Sequence, residues 1–311
     1  MPRKIILDCD PGHDDAVAML LAHGSPEIEL LAVTTVAGNQ TLEKVTHNAR
    51  VVATVAGMTG VPIAAGMARP LVRAQIVARD IHGESGLDGP VLPEPTVPLD
   101  PRHAVDLIIE TVMSHPAGEI TLVPVAPLTN IAMAARREPR IVERVHEVVL
   151  MGGGYSRGNA TAAAEFNIFA DPESAHIVFD ERWPVTMVGL DLTHQAQATP
   201  DVVDRIAAVG TPAARFVVDV LRFFGQSYRR VQGFAAPPVH DPCAVARVID
   251  PTVMAVRAAH VVVELGGTHS AGMTVTDFQG RGGVALSTSV ATELDHERFW
   301  DLVVGALDAI G

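Results

Sequence analysis

Runs of β-branched and aliphatic residues alternate with stretches of helical spacing through most of the chain, and this alternation restricts the fold more than any other feature. Residues 4–8 predict a strand, Pro11-Gly12 a turn, and residues 14–22 a helix opened by two carboxylates. The cycle recurs, with strands over 28–36, 61–65, 120–125, 145–151 and 185–190 and helices over 42–56, 104–113, 130–137 and 172–179. A polar, Gly- and Pro-rich stretch over 67–98 reads as loop. Beyond residue 200 the pattern is more helical (201–209, 212–228, 242–249), with strands expected around Val261 and over 272–276. Strands joined through helices require right-handed crossovers, so the expected class is α/β, a mostly parallel central sheet flanked by helices. The 311 residues are 48% hydrophobic and contain neither a linker nor a repeat, so a single domain over 1–311 is expected.

In an open parallel sheet, ligands bind beyond the carboxyl ends of the strands. Polar residues gather at those ends here. Asp8 and Asp10 close the first strand, Asn39 follows the second, Pro124-Val125 closes the one near 120, and Met151 the next. These positions are expected to converge on one pocket. The balance of 23 basic against 36 acidic residues, a formal charge of −13, argues against a nucleic-acid partner, which needs clustered cations. A metal cation or a neutral small molecule suits it better. The two cysteines, Cys9 and Cys243, suggest no disulfide framework and read as small buried side chains. Neither a signal-peptide-like apolar stretch nor a membrane-spanning run is present, so a cytoplasmic location without a membrane partner is expected.

Asp8-Cys9-Asp10-Pro11-Gly12-His13-Asp14-Asp15 sets four carboxylates within eight residues. At the spacing of a tight loop they repel strongly, and a hard cation relieves that repulsion. Carboxylate and carbonyl oxygens suit Ca²⁺ or Mg²⁺ rather than zinc. An EF-hand does not fit, because Gly12 and Met19 fall where that loop needs ligands. His13 reads as a turn residue. Asp-x-Asp after a first strand also suits a phosphatase of the haloacid dehalogenase type, with aspartate as nucleophile. Gly12 and the Asp14-Asp15 pair depart from that pattern.

The segment from Asp8 to Ala16 closely resembles the signature of the inosine-uridine preferring nucleoside hydrolase family. Further matches follow in order: Thr34-Thr35-Val36-Ala37-Gly38-Asn39, His82-Gly83, Pro127-Leu128-Thr129-Asn130, Met151-Gly152-Gly153, Ala164-Glu165-Phe166-Asn167 and Val239-His240-Asp241-Pro242. Together they span about residues 4–305. The resemblance implies a Rossmann-like nucleoside hydrolase fold and an enzyme that hydrolyses the N-glycosidic bond of ribonucleosides to ribose and free base, a step of nucleoside salvage. It implies Ca²⁺ held by Asp10, Asp15 and Asp241 and by the backbone carbonyl of Val125. Most relatives have Thr-Gly where this chain has Val125-Ala126, but a main-chain ligand tolerates valine. It also implies that Asp14, Asn39, Glu165 and Asn167 hold the ribose hydroxyls, with Met151 and Asn159 nearby. A homotetramer or homodimer is implied as well.

The chemistry of N-glycosidic cleavage agrees with these roles. An oxocarbenium-like ribosyl cation forms while negative charge grows on the leaving base. Ca²⁺ can bind and acidify a water beside C1′, and Asp10 is placed to accept its proton. His240, before Asp241, is the candidate for protonating the base, and a nearby carboxylate would favour its charged form. His82, in a Gly-flanked loop, could cover the base. Tyr228 matches a position where aromatic residues close over the base, and Phe224 stands where a tyrosine is often found. Arg222 and Gln226 could instead contact a pyrimidine, which leaves base preference open. The non-catalytic alternative, a nucleoside- or ribose-binding protein, is disfavoured by Asp10 and His240 together.

Overall fold

The computed structural model describes residues 1–311. Its first strand shows why both faces of the sheet are covered. In β1 (Arg3–Cys9), Ile5, Leu7 and Cys9 belong to one buried cluster, while Ile6 belongs to another. Side chains alternate along a strand, so each cluster lies on its own face. The chain continues through α1 (His13–Gly24), β2 (Ile28–Thr35), α2 (Leu42–Val55), β3 (Ile63–Ala65) and the one-turn α3 (Arg79–His82). Next come α4 (Ala104–Ser114), β4 (Ile120–Pro124), α5 (Thr129–Arg137), β5 (Val145–Met151), α6 (Phe166–Ala170), α7 (Pro172–Asp180) and β6 (Val185–Val188). The rest is α8 (Leu190–Thr193), α9 (Pro200–Val209), α10 (Pro212–Gln232), α11 (Pro242–Ile249), β7 (Met254–Val263), β8 (Thr274–Asp277), β9 (Thr288–Leu294) and α12 (His296–Ala309).

All nine strands form one sheet in the order β3-β2-β1-β4-β5-β6-β9-β7-β8. The neighbours from β3 to β9 are parallel, whereas β7 pairs antiparallel with both β9 and β8. The expected α/β class is therefore observed, and the strands expected late in the chain form an antiparallel extension. On one face α1, α2, α9, α10, α11 and α12 pack in a cluster of 53 buried residues. On the other, α4, α5 and α7 pack in a cluster of 30.

The winding direction reverses at β1, whose neighbours are β2 and β4. Asp8 pairs with Thr34 on one side and Pro124 on the other, so the carboxyl ends of the three strands are level. Their loops diverge there, as at the topological switch point of a doubly wound sheet. Asp10, Asn39 and Val125 lie just past it.

Two C-terminal elements were not expected from the sequence, β9 and α12. The helix is capped by the Asp295 side chain, which accepts the Arg298 N–H, and it buries Phe299, Trp300, Val303, Ala306 and Leu307. The loop expected over 67–98 also contains α3, which carries His82.

Candidate active site

The acidic loop is shaped by the start of α1. Asp15 lies three residues past the Gly12 cap, and its carboxylate reaches back to accept the N–H of Asp10 (2.9 Å) and of Gly12 (3.0 Å). That satisfies donors a helix start leaves unpaired and fixes the loop. Asn39 closes it from β2: its N–H donates to Asp10 Oδ2 (2.6 Å), and its Nδ2 donates to Asp15 Oδ2 (3.1 Å) and the Asp10 carbonyl (3.2 Å). A Cβ on Gly38 would lie 2.0 Å from Asp10 Oδ2, so this approach requires glycine.

Asp241 arrives from the far end of the chain, at the cap of α11, where Pro242 occupies the first turn. Its carboxylate joins those of Asp14 and Asp15, with one oxygen of each lying within 4.8 Å of the others. Asp10 adjoins the group through Asp15, and its Oδ1 is buried with no partner in the protein. Burial raises all four carboxyls, and repulsion from the neighbouring carboxylates adds to it at three of them: Asp14 rises to about 8, and Asp10 and Asp241 well above the ordinary range, while hydrogen bonds to Asp15 oppose its burial. Val125, whose N–H donates to the Asp8 carbonyl (2.8 Å), presents its own carbonyl to Asn167 Nδ2 (3.1 Å). The donor set is thus all oxygen, with one unsatisfied buried carboxylate atom. It fits a hard divalent cation. Cys9 takes no part, since its Sγ faces the Thr34 carbonyl.

Asp14, Asn39, His82, Val125, Met151, Asn159, Glu165, Asn167, Tyr228, His240 and Asp241 all line one cavity. Of the residues singled out in the sequence, Asp10 and Asp15 lie behind its wall rather than on it. Glu165 caps α6: its oxygens accept N–H groups from Asn167 (2.8 Å), Ile168 (3.1 Å) and Gly153 (2.9 Å), which partly offset the burial that raises its carboxyl to about 7. Asn167 Nδ2 donates to the Val125 and Met151 carbonyls (3.1 and 3.2 Å), leaving its Oδ1 for a ligand. Asn159 Oδ1 accepts the Phe166 N–H (2.8 Å), leaving its Nδ2. One wall therefore offers both acceptors and a donor, as vicinal hydroxyls require.

The opposite wall holds Tyr228 and His240. Tyr228 Oη lies 2.7 Å from His240 Nε2, and Thr193 Oγ1 lies 2.7 Å from Nδ1. The expectation that a neighbouring carboxylate keeps His240 charged is not met. Burial, with His194 adding, pushes its pKa down to about 3, which favours the neutral ring.

Several finer expectations are corrected. Arg222 is exposed and pairs with Asp219 (3.1 Å), and Gln226 is also exposed, so neither reaches the cavity. Gln232, one helical turn beyond Tyr228, lines it instead. Phe224 is fully buried, edge-on to Tyr228 and stacked on His13. His13 is not a turn residue. It opens α1, is buried, donates through Nε2 to the Asp88 carbonyl (2.8 Å), and sets its Nδ1 3.1 Å from His82 Nδ1. Ile81, Phe166 and Thr193 also contribute without having been expected. Ile81 and Phe166 carry no chemical signal in a sequence, and a threonine becomes informative only beside a histidine in space.

A model of the inosine-uridine preferring nucleoside hydrolase family matches residues 5–301. The chain is 61% identical to "Inosine-uridine preferring nucleoside hydrolase" of Crithidia fasciculata, over 100% of this chain and 99% of that protein. It is 44% identical to "Pyrimidine-specific ribonucleoside hydrolase RihA" of Photobacterium profundum, over 99% of both. Among solved structures, a "Purine-Preferring Ribonucleoside Hydrolase from Gardnerella vaginalis" superposes with a TM-score of 0.93 at 31% identity, covering 99% of each chain.

Proposed function

From the premise that this chain belongs to the inosine-uridine preferring nucleoside hydrolase family, and so is a hydrolase of N-glycosyl compounds, we propose that it hydrolyses ribonucleosides to ribose and free base in the cavity between Asp14 and Tyr228. The observation that carries this is the meeting of Asp14 and Asp15 with Asp241, more than two hundred residues away, where Asp14 and Asp241 share a cavity wall with Asn39, Glu165 and Asn167. A sugar-gripping surface is thereby joined to a cation site.

Asp10, Asp15, Asp241 and the Val125 carbonyl would hold Ca²⁺, with Asp14 turned to the ribose. When bound, such an ion acidifies water beside the sugar and neutralises the crowded carboxylates. Asp10, with its unpartnered Oδ1, takes the proton of the attacking water. Direct attack by water inverts C1′. The carboxylates stabilise the ribosyl cation electrostatically, while Asn39, Asn159, Glu165 and Asn167 orient the ribose. Deoxyribose would leave polar atoms of this wall unpaired, so ribonucleosides are preferred. On the far side the Tyr228–His240 pair delivers the proton to the leaving base.

The base end is walled by the half-buried Ile81 and Phe166 and the ring of Tyr228, with the Gln232 amide beside them. An apolar slot with an amide that both donates and accepts suits purines and pyrimidines alike. Release of reducing sugar from inosine and from uridine, with calcium and after chelation, tests the reading. Sugar release lost on chelation is expected. Phosphate release from a phosphomonoester without sugar release would favour the phosphatase, and neither product would favour a binding protein. Asp10→Ala is expected to lose metal and activity together; an active, metal-free variant would contradict the assignment. The resemblance also carries an assembly of two or four copies, which light scattering on the 32.9 kDa chain would read.

A further inference from the structure

The hydrogen bonds around His240 have a direction, and a residue outside the cavity wall sets it. The ring is buried, and each nitrogen faces one hydroxyl at 2.7 Å: Thr193 Oγ1 at Nδ1 and Tyr228 Oη at Nε2. The ring can carry a hydrogen on Nδ1, on Nε2 or on both, and its two partners decide among these arrangements. If Nδ1 carried the proton, it would donate to Thr193 and leave the hydroxyl hydrogen of Thr193 without an acceptor, because this fully buried side chain has no hydrogen-bond partner besides His240. An unmade hydrogen bond at a buried donor is unfavourable. If Thr193 instead donates to Nδ1, then Nε2–H donates to Tyr228 Oη, and the tyrosine O–H is free to turn into the cavity that Tyr228 lines. Every hydrogen is then used. His194, the other histidine against this ring (centroids 5.7 Å apart), makes no hydrogen bond to it, so Thr193 alone holds Nδ1.

We propose that Thr193 is a positioning residue that fixes the Nε2–H form of His240 and so aims a chain of donors, Thr193 to His240 to Tyr228, at the leaving base. The balance of protons is simple. Tyr228 gives its hydroxyl proton to the departing base nitrogen, and the tyrosinate oxygen left behind is held by the hydrogen bond from His240 Nε2–H. Tyr228 recovers a proton from solvent water after the base departs. His240 and Thr193 keep their protons throughout. The inference rests on the proposed hydrolase reading and adds to it which atom carries the proton and what puts it there.

Thr193→Val keeps the shape and removes the hydroxyl, and Thr193→Ser restores a hydroxyl. Turnover is compared on inosine, whose base needs protonation, and on p-nitrophenyl riboside, whose leaving group does not. Thr193→Val is expected to lose roughly tenfold to a hundredfold on inosine, a part of the usual contribution of a general acid. It should stay within about threefold on p-nitrophenyl riboside, which also shows that it folds, and Thr193→Ser should recover most of the loss. Equal losses on both substrates, no loss on inosine, or a serine variant no better than valine would overturn the role. Independently, ¹⁵N-histidine spectra, with His240 assigned by difference against His240→Gln, should show Nε2 protonated and Nδ1 bare, and the reverse pattern would overturn the inference. If the unaltered chain released no ribose from inosine, the hydrolase reading would fail instead, and the nitrogen assignment would still decide the tautomer.

Discussion

Burial pushes the pKa of His240 down to about 3, and its ring nitrogens face only the hydroxyls of Thr193 and Tyr228, so in the proposed reaction these partners set what it donates. His240→Ala is therefore expected to lower turnover on inosine by roughly 10²–10⁴ while changing p-nitrophenyl riboside far less. Equal losses on the two substrates would remove it from proton delivery. Glu165 offers a test by pH. Its folded carboxyl is raised to about 7 from 4.5, so the folded state keeps a proton that the unfolded chain has released. The stabilising proton is fully present below pH 4.5 and is lost as pH climbs through about 7, so stability falls across that window. Urea melts at pH 5 and 7.5 should show a smaller fall for Glu165→Gln than for the unaltered chain; an equal or larger fall would contradict the shift. Most site residues were legible because their types are chemically costly to bury: Asp14, Asp15, Asp241, Glu165 and His240 all lie in the cavity wall or against it. His13 was misread because a histidine next to Pro-Gly looks like a turn, and only the fold shows Phe223 and Phe224 stacked upon it.

At the scale of elements, helix starts do most of the positioning. Asp15 reaches back at α1 and Glu165 caps α6, so two acids of the site also satisfy free backbone N–H groups, while Asp241 stands at the start of α11 with its carboxylate left for the acidic cluster. The antiparallel extension contributes from outside. Thr274 of β8 both accepts from the Gly154 N–H (2.9 Å) and donates to its carbonyl (2.8 Å), steadying the loop whose Gly153 N–H holds Glu165. The early strands and helices were legible from their periodicity. β9 was not, because its Thr-Ser-Val-Ala-Thr-Glu-Leu sequence is only weakly alternating and pairs with distant β6 and β7. The helix α12 that follows buries Trp300 completely, with its Nε1 donating to His296 Nε2 (3.1 Å). Trp300→Ala should cost about 3–5 kcal/mol of stability by denaturant melts. A loss under about 1 kcal/mol would mean that this helix adds little to the core it covers.

Over the whole molecule, the sheet brings residues from both ends of the chain to the switch point beside β1. The acidic cluster there would be unfavourable as ionised carboxylates without a cation, because burial raises every member and repulsion adds to it at Asp10, Asp14 and Asp241. No helix is long and apolar enough to cross a membrane. The meeting of Asp241 with Asp14 and Asp15 could be read in the sequence only through the family resemblance, since nothing in their spacing announces contact across so many residues. A crystal grown with calcium and a slowly cleaved ribonucleoside analogue tests the shared ion most directly. The expected result is one cation peak within about 2.3–2.6 Å of Asp10, Asp15, Asp241 and the Val125 carbonyl, with the ribose hydroxyls completing its shell. Carboxylates of Asp15 and Asp241 with no ion between them would contradict the mechanism.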